Sequence, residues 1–112
     1  MLFNLSLYLD RPVVVNSPLN RTVLELIGNT FMDCNVDGNA GKNVYHWYKE
    51  KPEVWREITS GVTDKEIIIE NQGTRLRFLK PPRTLALKYF CAATNDLGTG
   101  EAAGALLNVT CK

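Results

Sequence analysis

The sequence has no excess charge of one sign and no long apolar run, and each of these absences excludes a class of protein. Lys and Arg number 13 against 12 Asp and Glu, which leaves a net charge of +1. A chain with this balance has no basic footprint for nucleic acid or for an anionic membrane surface. No window of 18 consecutive apolar residues occurs in the 112 residues, so we expect membrane attachment only through an anchor outside this fragment.

Residues that carry catalysis or bind metals are also scarce. His46 is the only histidine, and no Ser/His/Asp or Cys/His arrangement can be assembled around it. One histidine and scattered cysteines have no zinc spacing, and the acidic residues do not form a calcium loop. The run from Gly38 to Lys42 lacks the full spacing of a phosphate-binding loop. We therefore expect no enzyme activity, no cofactor, no metal and no small-molecule substrate.

Short β-prone runs separated by turn residues make up most of the chain. Val44 to Lys49 and Leu87 to Cys91 alternate between two sets of side chains, which is typical of strands. Asn, Gly and Pro clusters separate these runs at the spacing of an all-β sandwich. The pattern predicts an all-β fold of seven to nine strands in two antiparallel sheets with Greek-key connections.

The first ten residues form a separate region in this reading. Phe3, Leu5, Leu7 and Leu9 alternate with polar residues, which is the period of a half-buried strand rather than of a signal peptide. We expect residues 1–10 to be a strand-like extension or linker, residues 11–110 to be one domain, and residues 111–112 to begin a linker to a following domain.

Four residues identify the kind of sandwich. Cys34, Trp47 and Cys91 occupy inward positions on three different predicted strands, and the two cysteines are 57 residues apart. Tyr89 lies two residues before the second cysteine, at the position of a tyrosine corner. Two further inward residues complete the predicted core, Met32 and Leu76.

With these residues the sequence resembles the immunoglobulin superfamily over nearly all of residues 11–110. The segment from Tyr89 to Gly98 is similar to the Y-x-C-x-A-x-N-x-x-G signature of I-set domains in cell-adhesion molecules and receptors. The resemblance implies a disulfide between Cys34 and Cys91 with Trp47 packed against it. The family usually carries D-x-G or D-x-A before the tyrosine, whereas this chain has Leu85-Ala86-Leu87. We expect apolar packing there instead of a buried Asp–Arg pair.

Three sequons bear on the compartment. Asn4, Asn20 and Asn108 each begin an N-x-[ST] motif without proline. They are candidate glycosylation sites and, with the disulfide, predict the secretory route and an extracellular location. The alternative is a pair of reduced core cysteines, as in cytosolic muscle I-set domains.

Strand alternation also predicts a binding surface. If Trp47 and Cys91 point inward, their neighbours along the two strands point outward. The candidate protein-binding residues on this face are His46, Tyr48, Trp55 and Phe90. Exposed aromatic clusters are typical of protein interfaces. The competing reading is that a loop or the N-terminal strand covers them.

These features predict a non-enzymatic protein-binding module of a cell-surface adhesion molecule or receptor, which binds a protein ligand or a homophilic partner through a sandwich face or loops. A first alternative is the ligand-binding domain of a cytokine or growth-factor receptor, whose membrane-proximal domains the run from Arg11 to Pro18 resembles. A second is a cytosolic structural I-set domain of a muscle or cytoskeletal protein. The third cysteine, Cys111, has no assigned partner and is expected to be free or bonded outside this domain.

Overall fold

The computed structural model describes residues 11–37, 43–51 and 53–111, and these ranges contain eleven β-strands. The expectations for residues 1–10, including Asn4, lie outside them. The strands are β1 (Val13–Asn16), β2 (Arg21–Leu24), β3 (Asn29–Asp33), β4 (Asn35–Asp37), β5 (Val44–Lys51), β6 (Val54–Glu57), β7 (Ile67–Glu70), β8 (Arg75–Leu79), β9 (Lys88–Asn95), β10 (Gly98–Thr99) and β11 (Ala103–Thr110). Two single-turn 3₁₀ helices accompany them, Asn71–Gly73 and Arg83–Leu85.

Eleven segments exceed the expected number because two strands are interrupted. Pro18 lies buried between β1 and β2, and a proline has no N–H group to donate to a strand ladder. Cys34 separates β3 from β4. When each interrupted pair is counted as one strand, nine strands remain, within the expected range.

The strands form two layers. One layer is the six-stranded sheet, in the order β2-β11-β9-β5-β6 with β10 paired to β9. The other layer contains the three-stranded sheet β3-β8-β7 and the pair β1-β4. This second layer is continuous along the chain because β4 follows β3 directly across Cys34. The all-β sandwich expected from the sequence is confirmed.

The pairing is not antiparallel throughout, which corrects the expectation of two antiparallel sheets. β2 runs parallel to β11, from Arg21 opposite Leu107 to Leu24 opposite Thr110. The reason lies in the first strand, whose first half β1 pairs with β4 in the other layer. The chain crosses between layers near Pro18 and then continues beside β11 as the edge of the six-stranded sheet.

The core lies between the two layers and is closed by a disulfide. Cys34 and Cys91 are bonded with their Cα atoms 6.4 Å apart, which confirms the expected pairing. The side chain of Trp47 is 0% exposed, and its Nε1 donates a hydrogen bond to the Gly73 carbonyl at 2.8 Å. A buried indole thus keeps a partner for its one polar atom. The other predicted core residues are also fully buried, namely Met32, Leu76 and Tyr89.

Tyr89 connects the core to the turn before β9. Its hydroxyl donates a hydrogen bond to the Leu85 carbonyl at 2.7 Å, and its ring meets Phe78 edge-on with centroids 4.9 Å apart. Leu85 itself is only 3% exposed and belongs to the core cluster. Apolar packing therefore occupies the place where the resembled family carries a buried aspartate.

Neither a membrane-spanning helix nor a metal-binding group occurs among the described residues. No helix in the described ranges is both long and apolar enough to cross a bilayer. Within the same ranges, no three His, Cys, Asp or Glu side chains come together as a metal-binding group.

Candidate protein-binding face

The registers of β5 and β9 divide their side chains between the core and the outer face of the six-stranded sheet. Trp47 lies opposite Cys91, and both are buried in the core. One position further along, Tyr48 lies opposite Phe90 and both point to the other side of the sheet. His46 shares this outer side, because it lies two residues from Tyr48 on β5.

The edge strand β6 adds the fourth candidate residue. Trp55 lies opposite Glu50 of β5, and its ring stacks on Phe90 with centroids 3.9 Å apart and planes 20° apart. Tyr48 lies 5.9 Å from Trp55, and His46 lies 6.5 Å from Tyr48, measured between ring centroids. The fold thus brings together all four residues singled out in the sequence. We call them the aromatic cluster: His46, Tyr48, Trp55 and Phe90.

Exposure within the aromatic cluster does not follow from alternation alone. Phe90 points away from the core, yet it is only 8% exposed because Trp55 stacks over it. Trp55 is 47% exposed and lies on a strand whose four residues all face solvent. The surface available to a partner is therefore centred on Trp55, with Phe90 as its support.

Hydrogen bonds hold the rings of the aromatic cluster in place. Trp55 Nε1 donates to Glu50 Oε1 at 2.9 Å. His46 Nδ1 lies 3.1 Å from Glu57 Oε2. Burial, followed by the negative charge of Glu57, raises the pKa of Tyr48 above its ordinary value. Tyr48 thus keeps its hydroxyl proton at neutral pH, and the cluster presents a neutral phenol.

Gly104 of β11 and Lys88 of β9 complete this face, and neither is among the binding residues predicted from the sequence. Gly104 of β11 lies opposite Phe90, and a Cβ added at Gly104 would lie 2.7 Å from the Phe90 ring. Only glycine leaves room for the ring at this point of the sheet. Lys88 places its ammonium 5.1 Å from the centre of the same ring, a cation–π contact. Alternation along the last strand is the signal that could have indicated Gly104.

The outer face of the three-stranded sheet has a different composition. A single ring, Phe31, lies beneath three guanidinium groups, which are 3.9 Å (Arg75), 5.1 Å (Arg21) and 5.3 Å (Arg77) from its centroid. Arg75 forms two hydrogen bonds to Asp33, and these bonds raise the pKa of its guanidinium. Arg75 and Arg77 occupy alternate positions of β8, but their contact with Phe31 has no signal in the sequence.

The remaining predicted positions lie on the surface. Asn20 precedes β2, Asn108 lies on β11, and both are exposed. Cys111 is exposed and is not part of a disulfide within the described residues.

Comparisons with known proteins give structural but not sequence matches. No protein-family model matches the chain, and no curated protein matches it. Among solved structures, the chain is 27% identical to Sidekick-1 immunoglobulin domains 1–4, with a TM-score of 0.67, over 90% of this chain and 24% of that one. It is 26% identical to the titin I-band fragment I67–I69, with a TM-score of 0.74, over 92% of this chain and 34% of that one.

A third structure is the N-terminal Ig1-2 module of the Drosophila receptor protein tyrosine phosphatase DLAR. It is 20% identical with a TM-score of 0.71, over 88% of this chain and 45% of that one. The chain thus spans less than half the length of each of these structures, which contain several domains. The layer order, the Cys34–Cys91 disulfide and the structural matches agree with the spacing of cysteine, tryptophan and cysteine in the sequence. The described residues fold as an immunoglobulin domain.

Proposed function

We propose that this immunoglobulin domain is a non-enzymatic protein-binding module of an extracellular adhesion molecule or receptor, and that it binds a folded protein partner through the aromatic cluster. The observation that carries the proposal is the exposure of Trp55, a large aromatic side chain on the edge strand β6 that is 47% exposed on the outer face of the six-stranded sheet. Tryptophan is among the residues most enriched in binding hot spots.

The support beneath Trp55 favours binding over accidental exposure. Stacking on Phe90 and the hydrogen bond to Glu50 fix the indole in one orientation. A side chain that is already ordered loses little conformational entropy when a partner covers it. The aromatic cluster is therefore organised before binding.

Charge around the aromatic cluster indicates the kind of partner. The positive charge of Lys88 lies opposite the negative charge of Glu50, and Glu57 adds a second negative charge beside His46. The face thus carries charges of both signs around its rings rather than a block of one sign. A flat protein surface with an apolar centre and a mixed polar rim matches it, as is usual in protein interfaces.

Two observations support an extracellular module. The Cys34–Cys91 disulfide joins the two layers, and structural disulfides are rare in proteins of the reducing cytosol. The exposed sequons at Asn20 and Asn108 are compatible with passage through the secretory route. The same fold occurs in Sidekick-1 and in the receptor protein tyrosine phosphatase DLAR.

A structural module in a tandem array is the second candidate function. The observation that favours it is the 26% identity to the titin fragment I67–I69 over 92% of this chain. Such a module would act as a spacer, and its sheet faces would not need a partner. The two functions therefore differ in what happens when Trp55 is removed.

The test is the substitution Trp55→Ala, measured by binding to a panel of purified cell-surface and secreted ectodomains that includes the chain itself. We expect the binding signal to weaken by about 30-fold, because hot-spot truncations typically cost about 2 kcal/mol or more. The matched control is Leu97→Ala, which removes a side chain of similar exposure, 45%, from the turn between β9 and β10.

The Leu97→Ala control distinguishes binding through the sheet face from binding through the loop between β9 and β10. Binding that survives Trp55→Ala but is lost in Leu97→Ala would place the contact on the loop end and contradict the proposal. A chain that binds no ectodomain of the panel, while the tandem protein containing it bears load, would support the structural module.

A further inference from the structure

Two sequons that are far apart in the sequence lie side by side in the six-stranded sheet. Asn108 of β11 is paired in parallel with Thr22 of β2, and Thr22 is the hydroxyl residue of the sequon that begins at Asn20. The parallel register that the sequence did not predict creates this neighbourhood. The two asparagines nevertheless occupy different surroundings.

Asn20 has a structural role at the start of β2. Its Oδ1 accepts a hydrogen bond from the Leu106 N–H at 2.8 Å, just before the ladder between β2 and β11 begins at Arg21 and Leu107. The Leu106 N–H lies before the ladder with β2, and the Asn20 side chain supplies the acceptor that a backbone carbonyl of β2 would otherwise supply. This contact fixes the orientation of the Asn20 side chain against the sheet.

Asn108 projects from the outer face of the same sheet. Along β11, Gly104, Leu106 and Asn108 are exposed while Ala105 and Leu107 are buried, so the three even-numbered residues share the outer face. Leu106 is 53% exposed although its strand lies between two others. An apolar side chain beside Asn108 is therefore left more than half exposed by the residues that the structure describes.

We propose that Asn108 is an N-glycosylation site and that its first sugar covers Leu106. This inference rests on the proposed extracellular function, since the modification takes place in the secretory route. The reaction forms a bond between Asn108 Nδ2 and the anomeric carbon of an N-acetylglucosamine. The bond from that carbon to the pyrophosphate oxygen of a lipid-linked oligosaccharide breaks, Nδ2 loses one proton, and the lipid pyrophosphate leaves.

The position of the glycan restricts how a partner approaches. β11 and β6 are separated by β9 and β5, so Asn108 and Trp55 are about 14 Å apart across the strands. A glycan on Asn108 borders the β11 side of the outer face and leaves the β5 and β6 side free. A partner on Trp55 is thus directed to the edge formed by β6.

The experiment expresses the full chain behind a cleavable signal peptide in eukaryotic cells and measures site occupancy by mass spectrometry after enzymatic removal of N-glycans. We expect the secreted wild type to carry a glycan at Asn108. Thr110→Ser keeps the sequon and should keep the glycan, whereas Thr110→Val keeps the β-branched shape and should lose it. Asn20→Asp keeps the Oδ1 acceptor for Leu106 and should leave occupancy at Asn108 unchanged.

A second variant controls for any effect of the Thr110 substitution on folding. Thr110 Oγ1 donates to the Val23 carbonyl at 3.3 Å, so Thr110→Val removes this contact as well as the sequon. Asn108→Gln leaves Thr110 intact and should also lose the glycan. Secreted wild type with an unmodified Asn108, or with a glycan at Asn20 alone, would overturn the proposal.

The outcome is independent of the proposed binding function. An unmodified Asn108 together with partner binding that depends on Trp55 rejects the glycan and leaves the binding function standing. A glycan on Asn108 together with partner binding that ignores Trp55 rejects the aromatic cluster and leaves the modification standing.

Discussion

The two outer faces of the sandwich use aromatic rings in opposite ways. On the three-stranded sheet one ring, Phe31, is surrounded by three guanidinium groups. Two of these also bond to carboxylates, Arg75 to Asp33 and Arg77 to Glu70. On the six-stranded sheet the rings contact one another, and the outermost, Trp55, is 47% exposed.

The difference shows how a face can be completed by the domain itself or left for a partner. The arginines over Phe31 have their charges and their apolar stems already engaged within the domain. In the aromatic cluster, Trp55 Nε1 and His46 Nδ1 have polar partners, and the described residues leave Trp55 47% exposed. The proposed binding function therefore assigns the partner to the second face, where apolar area can still be buried against another molecule.

Removing the disulfide is expected to lower the stability of the whole domain, so that both outer faces are affected equally. Cys34→Ala with Cys91→Ala opens a closed loop with a sequence separation of 57 residues, and the chain-entropy model gives a loss of about 4 kcal/mol in the free energy of unfolding. Urea denaturation of the variant and the wild type measures this loss. A loss below about 1 kcal/mol would mean that packing around Trp47 holds the layers together without the bond.

The next largest effect is expected from substituting Tyr89, a change that leaves both outer faces intact. Tyr89→Phe removes the hydrogen bond to the buried Leu85 carbonyl, which should cost about 1–3 kcal/mol because the acceptor loses its partner. Guanidinium denaturation at neutral pH measures the cost, and Tyr48→Phe, on the outer face, is the matched control.

The same residue predicts an alkaline effect. Burial raises the pKa of Tyr89 far above its ordinary value, so the folded state retains a proton that the unfolded state loses above about pH 10. The free energy of unfolding is therefore unaffected below that pH and falls as the pH rises above it. Tyr89→Phe should flatten this fall. An equally steep fall in the variant would assign the titration to other groups.

The smallest expected effect sharpens the contrast between the faces. Phe31→Ala removes a half-buried ring and should lower the free energy of unfolding by about 1–2 kcal/mol, while partner binding is unchanged. Trp55→Ala should do the reverse, with a smaller loss of stability and a large loss of binding. Thermal unfolding and ectodomain binding, measured on both variants, test the pair. If Phe31→Ala weakens binding as much as Trp55→Ala, the two faces do not differ in function.

Much of the candidate site could be predicted because alternation along a strand assigns side chains to faces. His46, Tyr48 and Phe90 were placed on one outer face from β5 and β9 alone. Trp55 could be placed beside them only because it lies on the next predicted strand. Its stacking on Phe90 depends on the register between β5 and β6. Register and side-chain rotamers are set by contacts between strands, which a linear pattern does not contain.

Other features depended on contacts between distant parts of the chain. The parallel pairing of β2 with β11 follows from the crossing at Pro18, and the sequence reading expected antiparallel sheets. The contact between Asn20 and the Leu106 N–H joins residues 86 positions apart. The gathering of Arg21, Arg75 and Arg77 over Phe31 likewise needs three strands in place. Neither spacing nor composition indicates such neighbours.

The sequence by itself determined the sandwich, the disulfide and the buried tryptophan, because each depends on a local period of two and on a spacing that a two-layer core imposes. The tertiary structure alone decided which aromatic ring faces solvent. It also decided which sequon asparagine is hydrogen-bonded to the sheet and which one projects from the sheet face. Phe90 is covered because Trp55 comes across from the edge strand, and Asn20 is engaged because β11 brings the Leu106 N–H to it. Exposure is a property of neighbours, and those neighbours come from elsewhere in the chain.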